Sequence, residues 1–154
     1  MAQYSEPSLA TPYPSEYWAR RPVISNVSLS PDGASLALLR ITEKGANPVI
    51  EVYPTDDLKA VPFRVNADPM EIVEIKWVDD SNLIFLARQQ VREMIDGFNE
   101  GVYEFRIALV DLEARKIHGF NERDPSLVST LPNKKNKILI SFAEGTGGGV
   151  GAKL

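Results

Sequence analysis

The sequence predicts an all-β chain: a partial β-propeller of about two and a half four-stranded antiparallel blades behind an N-terminal arm. Three observations predict it. Apolar residues recur with period two in short segments, which is the mark of strands. One strand–turn–strand pattern occurs three times. Each turn carries residues suited to a tight reversal.

Residues 1–22 are rich in Pro, Ser and Tyr and have no clear period. They read as an extended arm with at most a helical turn near Ser15–Arg20. Tyr17 and Trp18 are the expected pins onto the body. Residues 23–154 form the propeller region, with blades near 23–66, 71–120 and 126–154, the last incomplete.

"EIVEIKWV" places Val73, Ile75 and Trp77 on one face and Glu74 and Lys76 on the other. "VYEFRIALV" sets Tyr103, Phe105, Ile107 and Leu109 against Glu104 and Arg106. "SLALLRI", "PVIEVY", "NLIFLAR" and "KILISFA" are more apolar, as strands buried on both faces are. "VPFRV" and "KIHGF" read as outer strands. Arg88–Gly101 reads as helical or irregular, an elongated loop between two strands.

The repeats are "VSLSPDGASLALL", "IKWVDDSNLIFL" and "LVSTLPNKKNKILISF". Asp32 and Asp79 are 47 residues apart, and Asp79 and Asn133 are 54 apart. Periods of about 40–50 residues with several strands each belong to propeller blades. Pro31 presets φ, Asp32 bonds the backbone beyond it, and Gly33 accepts positive φ. Asp79, Asp80, Ser81 and Asn82 do this in the second copy, and Pro132 and Asn133 in the third.

The third unit runs into "GTGGGVGAKL". Gly147, Gly149 and Ala152 fit G-x-G-x-x-A, but a dinucleotide site also needs a helix N-terminus and an acidic ribose partner. Lys153 follows Ala152, which breaks the Walker order. The stretch therefore reads as a loop whose "AKL" enters a third strand. The third and fourth strands are expected to be missing, as in a truncated fragment. Exposed apolar faces and an open strand edge would then drive self-association.

With 44% hydrophobic residues and a net charge of −4, the chain can build a core and has no overall field for nucleic acid or an anionic membrane. It contains no Cys and one His, which excludes disulfides and thiolate sites and disfavours zinc. His118, in an outer strand, reads as an ordinary packed or exposed side chain. No G-x-S-x-G elbow is present. No catalytic residue, cofactor or metal is expected. Asp56-Asp57 and Asp79-Asp80 read as turn residues, and Trp77 and Phe85 as core between blades. The Asn26-Val27-Ser28 sequon lies in a strand and is discounted. Glu93, Asp96 and Glu100, in the long loop, are the candidate rim contacts with substrate or a partner domain.

"VSLSPDGASLALL" resembles the PD40 or TolB-like propeller repeat, well at Ser30–Gly33, partly at Trp77–Leu83 and weakly at Leu131–Ile138. "SEYWARRPVISNVSLSPDGASLALLR" looks like the start of bacterial peptidases of the prolyl oligopeptidase (S9) family. The resemblance covers about residues 15–145. It implies a parent serine peptidase whose triad lies in a C-terminal α/β-hydrolase domain, with this chain gating peptide access and itself inactive. It also favours a periplasmic location, with secreted and cytoplasmic ones open. The alternative is a TolB-like binding module that contacts a protein partner.

Overall fold

The computed structural model describes residues 13–18, 20–93, 95, 101–134, 137–144 and 149–153. It is all-β apart from one helical turn, α1 (Ser15–Trp18), and its sheets are antiparallel. The first sheet is a meander of β1 (Ile24–Leu29), β2 (Ser35–Arg40), β3 (Val49–Pro54) and β4 (Phe63–Val65). The second repeats it with β5 (Glu71–Trp77), β6 (Asn82–Arg92), β7 (Val102–Asp111) and β8 (Lys116–Phe120). The third contains β9 (Ser126–Ser129), β10 (Leu139–Glu144) and β11 (Gly149–Lys153), with β10 in the middle.

Two sequence readings change here. Arg88–Arg92 is strand, not loop: Arg88, Gln89 and Gln90 pair with Phe105, Glu104 and Tyr103. Their polar side chains hid the strand, but ladder bonds come from the backbone and do not require apolar partners. The third strand of the last unit is present and begins at Gly149, which pairs with Glu144. Ala152 pairs with Ser141, so Gly149 to Ala152 is antiparallel strand and not the start of a helix. Gly147 lies outside the described residues.

The sheets stack face to face. Ala37, Leu39, Ile50, Val52 and Val65 of the first sheet meet Ile72, Ile75, Leu83, Phe85, Ala87, Ala108 and Val110 of the second in one apolar cluster. Trp77 packs against it. The opposite face of the second sheet contributes Ile84 and Ile107 to a cluster with Ile140 of the third. Leu83–Ala87 of β6 and Ile107–Val110 of β7 are therefore covered on both faces, which explains the unbroken apolar run in each.

Each first strand is bulged at an equivalent place. β1 shifts register between Ser25 and Ser28, β5 between Ile72 and Glu74, and β9 opposite the Leu139–Ile140 step. The β5 bulge corrects the simple alternation, because Ile72 and Ile75 both reach the first cluster while Val73 does not. An extra residue restarts the period-two pattern on the other phase.

β1 lies beside β5, and three hydrogen bonds join the two strands or their turns at repeat spacing. Asn26 Nδ2 donates to the Val73 carbonyl at 3.2 Å, and Trp77 Nε1 to the Ser28 carbonyl at 3.3 Å. The Asp32 amide donates to Asp80 Oδ1 at 2.9 Å. Asn26 takes φ 50°, a value that asparagine tolerates better than most residues.

The reversals use the residues read from the sequence. Asp32 Oδ1 accepts from the Ser30 hydroxyl at 2.6 Å and the Ala34 amide at 3.0 Å. The Ser30 contact is the main reason its pKa lies below the ordinary carboxylate value. Asp79 Oδ1 accepts from the amides of Ser81 and Asn82. Gly33 sits at φ 74°, and a Cβ there would meet nothing within 4 Å. Gly33→Ala is therefore expected to cost only the backbone strain, about 1–2 kcal/mol. Gly119→Ala, also with open space around its Cβ but without a positive φ, should raise the urea midpoint slightly, by about 0.4–1 kcal/mol of lost unfolded-state freedom. Equal midpoints for the two variants would contradict the turn geometry.

Candidate functional site

Because β1 and β5 run side by side in the same direction, the connections segregate to two ends. The β1–β2, β3–β4, β5–β6 and β7–β8 turns share one end. The arm and the β2–β3, β4–β5 and β6–β7 connections share the other.

At this second end Glu71, at the start of β5, accepts from two arginines. Arg21 of the arm contacts Glu71 Oε1, and Arg88 Nε of β6 donates to Oε2 at 2.9 Å. The Arg88 guanidinium lies 5.0 Å from the ring centroid of Tyr103 on β7, a cation–π distance. The arm is thus tied down through Arg21 and through the Val23 carbonyl, which accepts from the Ile41 amide. Tyr17, expected as a pin, stacks on Tyr13 at 4.5 Å within the arm segment. Asp68 joins the β2–β3 and β4–β5 connections by accepting from the side-chain amides of Asn47 and Asn66. These two bonds hold its pKa below the ordinary value, Asn47 contributing most.

A groove of about 690 Å³ lies beside this network, walled by Arg20, Arg21, Val23 and the Ile41–Ala46 loop. Its lining carries three cations, Arg20, Arg21 and Lys44, one carboxylate, Glu43, and the apolar side chains of Val23 and Ile41. Such a groove favours an anionic group on an otherwise apolar ligand. Glu93 lies just past β6 at the same end and is exposed. Asp96 and Glu100 lie outside the described residues.

The second polar constellation is on the face of the first sheet turned away from the second. Leu38, Glu51 and Arg64 are register partners across β2, β3 and β4. The Glu51 side chain has 0% exposure. Its Oε1 accepts from Arg64 Nε at 2.8 Å and lies 2.6 Å from Arg64 Nη2. Its Oε2 accepts from the Tyr53 hydroxyl at 2.7 Å and from Arg40 Nη1 at 3.4 Å. Burial, the largest influence, pushes the carboxyl pKa up. The Tyr53 and Arg64 hydrogen bonds, with the two guanidinium charges, outweigh it and leave the pKa below its ordinary value. The Tyr53 pKa is raised, chiefly because its hydroxyl donates to that carboxylate.

Neither constellation brings a nucleophile, a base and an orienting acid together. His118 is exposed on β8 opposite Leu109. Among the described residues no cluster of His, Cys, Asp and Glu is arranged to hold a metal, and no helix is long and apolar enough to cross a membrane. The sequence named Glu93 as a candidate rim contact, and it is exposed; it did not single out Glu71, Arg88 or Glu51. Glu51 left a signal, since a carboxylate within "VIEVY" must be compensated if that strand is buried. Compared with known proteins, the chain matches no family model, no curated protein and no solved structure.

Proposed function

We propose that the chain is a run of consecutive blades from the β-propeller of a prolyl oligopeptidase-family serine peptidase. In that role it gates peptide access to a hydrolase domain that supplies the nucleophile, and it has no hydrolytic activity of its own. One observation supports this reading most. Successive four-stranded meanders stack face to face, with their bulged first strands drawn together by hydrogen bonds at repeat spacing. Sheets that converge at one edge are wedges, and wedges fill a ring. The Ser-Pro-Asp-Gly reversal at Ser30–Gly33 adds the family resemblance. Glu93, Asp96 and Glu100 are the proposed rim contacts of the long β6–β7 connection.

Two measurements test the reading. The purified chain, incubated with a fluorophosphonate probe and chromogenic peptide esters, is expected to show neither labelling nor turnover. The coding sequence beyond residue 154 is expected to hold a Gly-x-Ser-x-Gly elbow. Serine labelling within this chain would refute the first point. A reading frame that stops after further repeats would replace the peptidase with a TolB-like binding module.

A further inference from the structure

The groove beside the arm holds charge that the fold does not use. The arm lends it Arg20 and Arg21, and the β2–β3 loop lends it Glu43 and Lys44. Arg21 is engaged with Glu71. The Arg20 guanidinium lies 5.6 Å from the Tyr17 ring centroid, a contact that supplies no counter-charge. Among the described residues Arg20, Glu43 and Lys44 form no ion pair, and all three are exposed. Two unpaired cations against one carboxylate leave a surplus of one positive charge, in a chain whose net charge is −4.

That surplus sets the charge of a ligand. A single carboxylate balances it, whereas a phosphate dianion would exceed it and be repelled by Glu43. A carboxylate also fits the planar donor fork of Arg20. The apolar part of the lining is small and consists of Val23, Ile41 and Ala46. Val23 is 60% exposed, so this wall is shallow. It suits one or two aliphatic side chains and not a long acyl chain, which needs enclosure. A peptide that ends on an aliphatic residue carries both features, the carboxylate and the short apolar group, joined at one α-carbon. We propose that the groove takes the C-terminal residue of a peptide, with its carboxylate on Arg20 and Lys44 and its side chain on Val23 and Ile41. The inference rests on the reading that peptides pass this end of the sheets, and it adds which terminus is held there.

The probe is acetyl-Ala-Val-Leu with a free C-terminus, and its C-terminal amide is the comparison. Titrated into the full chain by calorimetry, the acid is expected to bind about fivefold more tightly, the scale of two exposed ion pairs. Arg20→Gln and Lys44→Gln should each reduce that preference, and the double variant should erase it. Glu43→Gln should tighten binding of the acid about twofold by removing the competing carboxylate, an effect that a merely structural loop position would not give. Lys59→Gln, at an exposed cation in the β3–β4 turn of the opposite end, should leave the preference intact. Equal binding of acid and amide, binding of neither, octanoate or inorganic phosphate binding as tightly as the acid, or a preference that survives the double variant would each overturn the proposal. The assay needs no hydrolase domain, so it is independent of the search for a nucleophile elbow. An elbow without a carboxylate preference removes this inference and leaves the peptidase reading. A preference without an elbow does the reverse.

Discussion

Leu83→Ala is expected to lower stability by about 2–5 kcal/mol, the range for truncating a fully enclosed leucine that cannot be backfilled. Leu83 has 0% exposure and sits in the cluster shared by the first two sheets. Its register partners are Trp77 on β5 and Val110 on β7. Removing three carbons there opens a void between two sheets whose spacing is tied by the Asn26–Val73 and Trp77–Ser28 hydrogen bonds. A loss of that size is a large part of the roughly 5–15 kcal/mol that holds an ordinary domain together. Urea unfolding followed by tryptophan fluorescence reports it, because Trp77 packs against the same cluster. Val61→Ala, at a position 94% exposed, should change the midpoint by less than about 0.5 kcal/mol. Equal midpoints for the two variants would mean that the first sheet does not stand on the second.

Glu51→Gln is expected to cost about 1–3 kcal/mol at neutral pH, the scale of charged hydrogen bonds lost at a buried acceptor. The lower part of that range is the better expectation, since Arg40 and Arg64 are half-exposed and water can solvate them once the carboxylate is gone. The pH profile separates this from a generic packing defect. The folded-state pKa of Glu51 lies below its ordinary value of 4.5. The unfolded chain therefore takes up its proton first as the pH falls. The stabilisation is complete above the unfolded value and is lost as the pH drops through the folded one. The gap between wild type and Glu51→Gln should be widest above about pH 6 and close progressively below about pH 4.5. Asp32 and Asp68, whose pKa values are also lowered, are present in both proteins and cancel in the comparison. A constant gap from pH 7 to pH 3 would show that the carboxylate charge is not what Glu51 contributes.

Both expectations concern residues that sequence reading treated unequally. Leu83 was legible: "NLIFLAR" is apolar on successive residues, and only a strand covered on both faces tolerates that. The turns were legible for the same local reason. Ser30, Asp32 and Gly33 bond or bend the chain within five residues, so their chemistry acts before any tertiary contact exists. Glu51 was harder to place, because its partners come from strands 11 and 13 residues away. Nothing in "VIEVY" says which cations will stand opposite. Register alone puts Arg64 across from Glu51. Arg21, Glu71 and Arg88 met in the same way, from three separate elements.

The sequence by itself determined that the chain is antiparallel β and where most of its strands and reversals lie. Side-chain alternation and turn residues are short-range, and each is complete within a few positions. Tertiary structure alone decided the bulges that rephase β1, β5 and β9, the extension of β6 to Arg92, and the pairing of Gly149–Lys153 as a strand. It also decided which charges share a carboxylate. These features depend on the neighbouring strand's register, which is set by how whole faces pack and is written in no single segment.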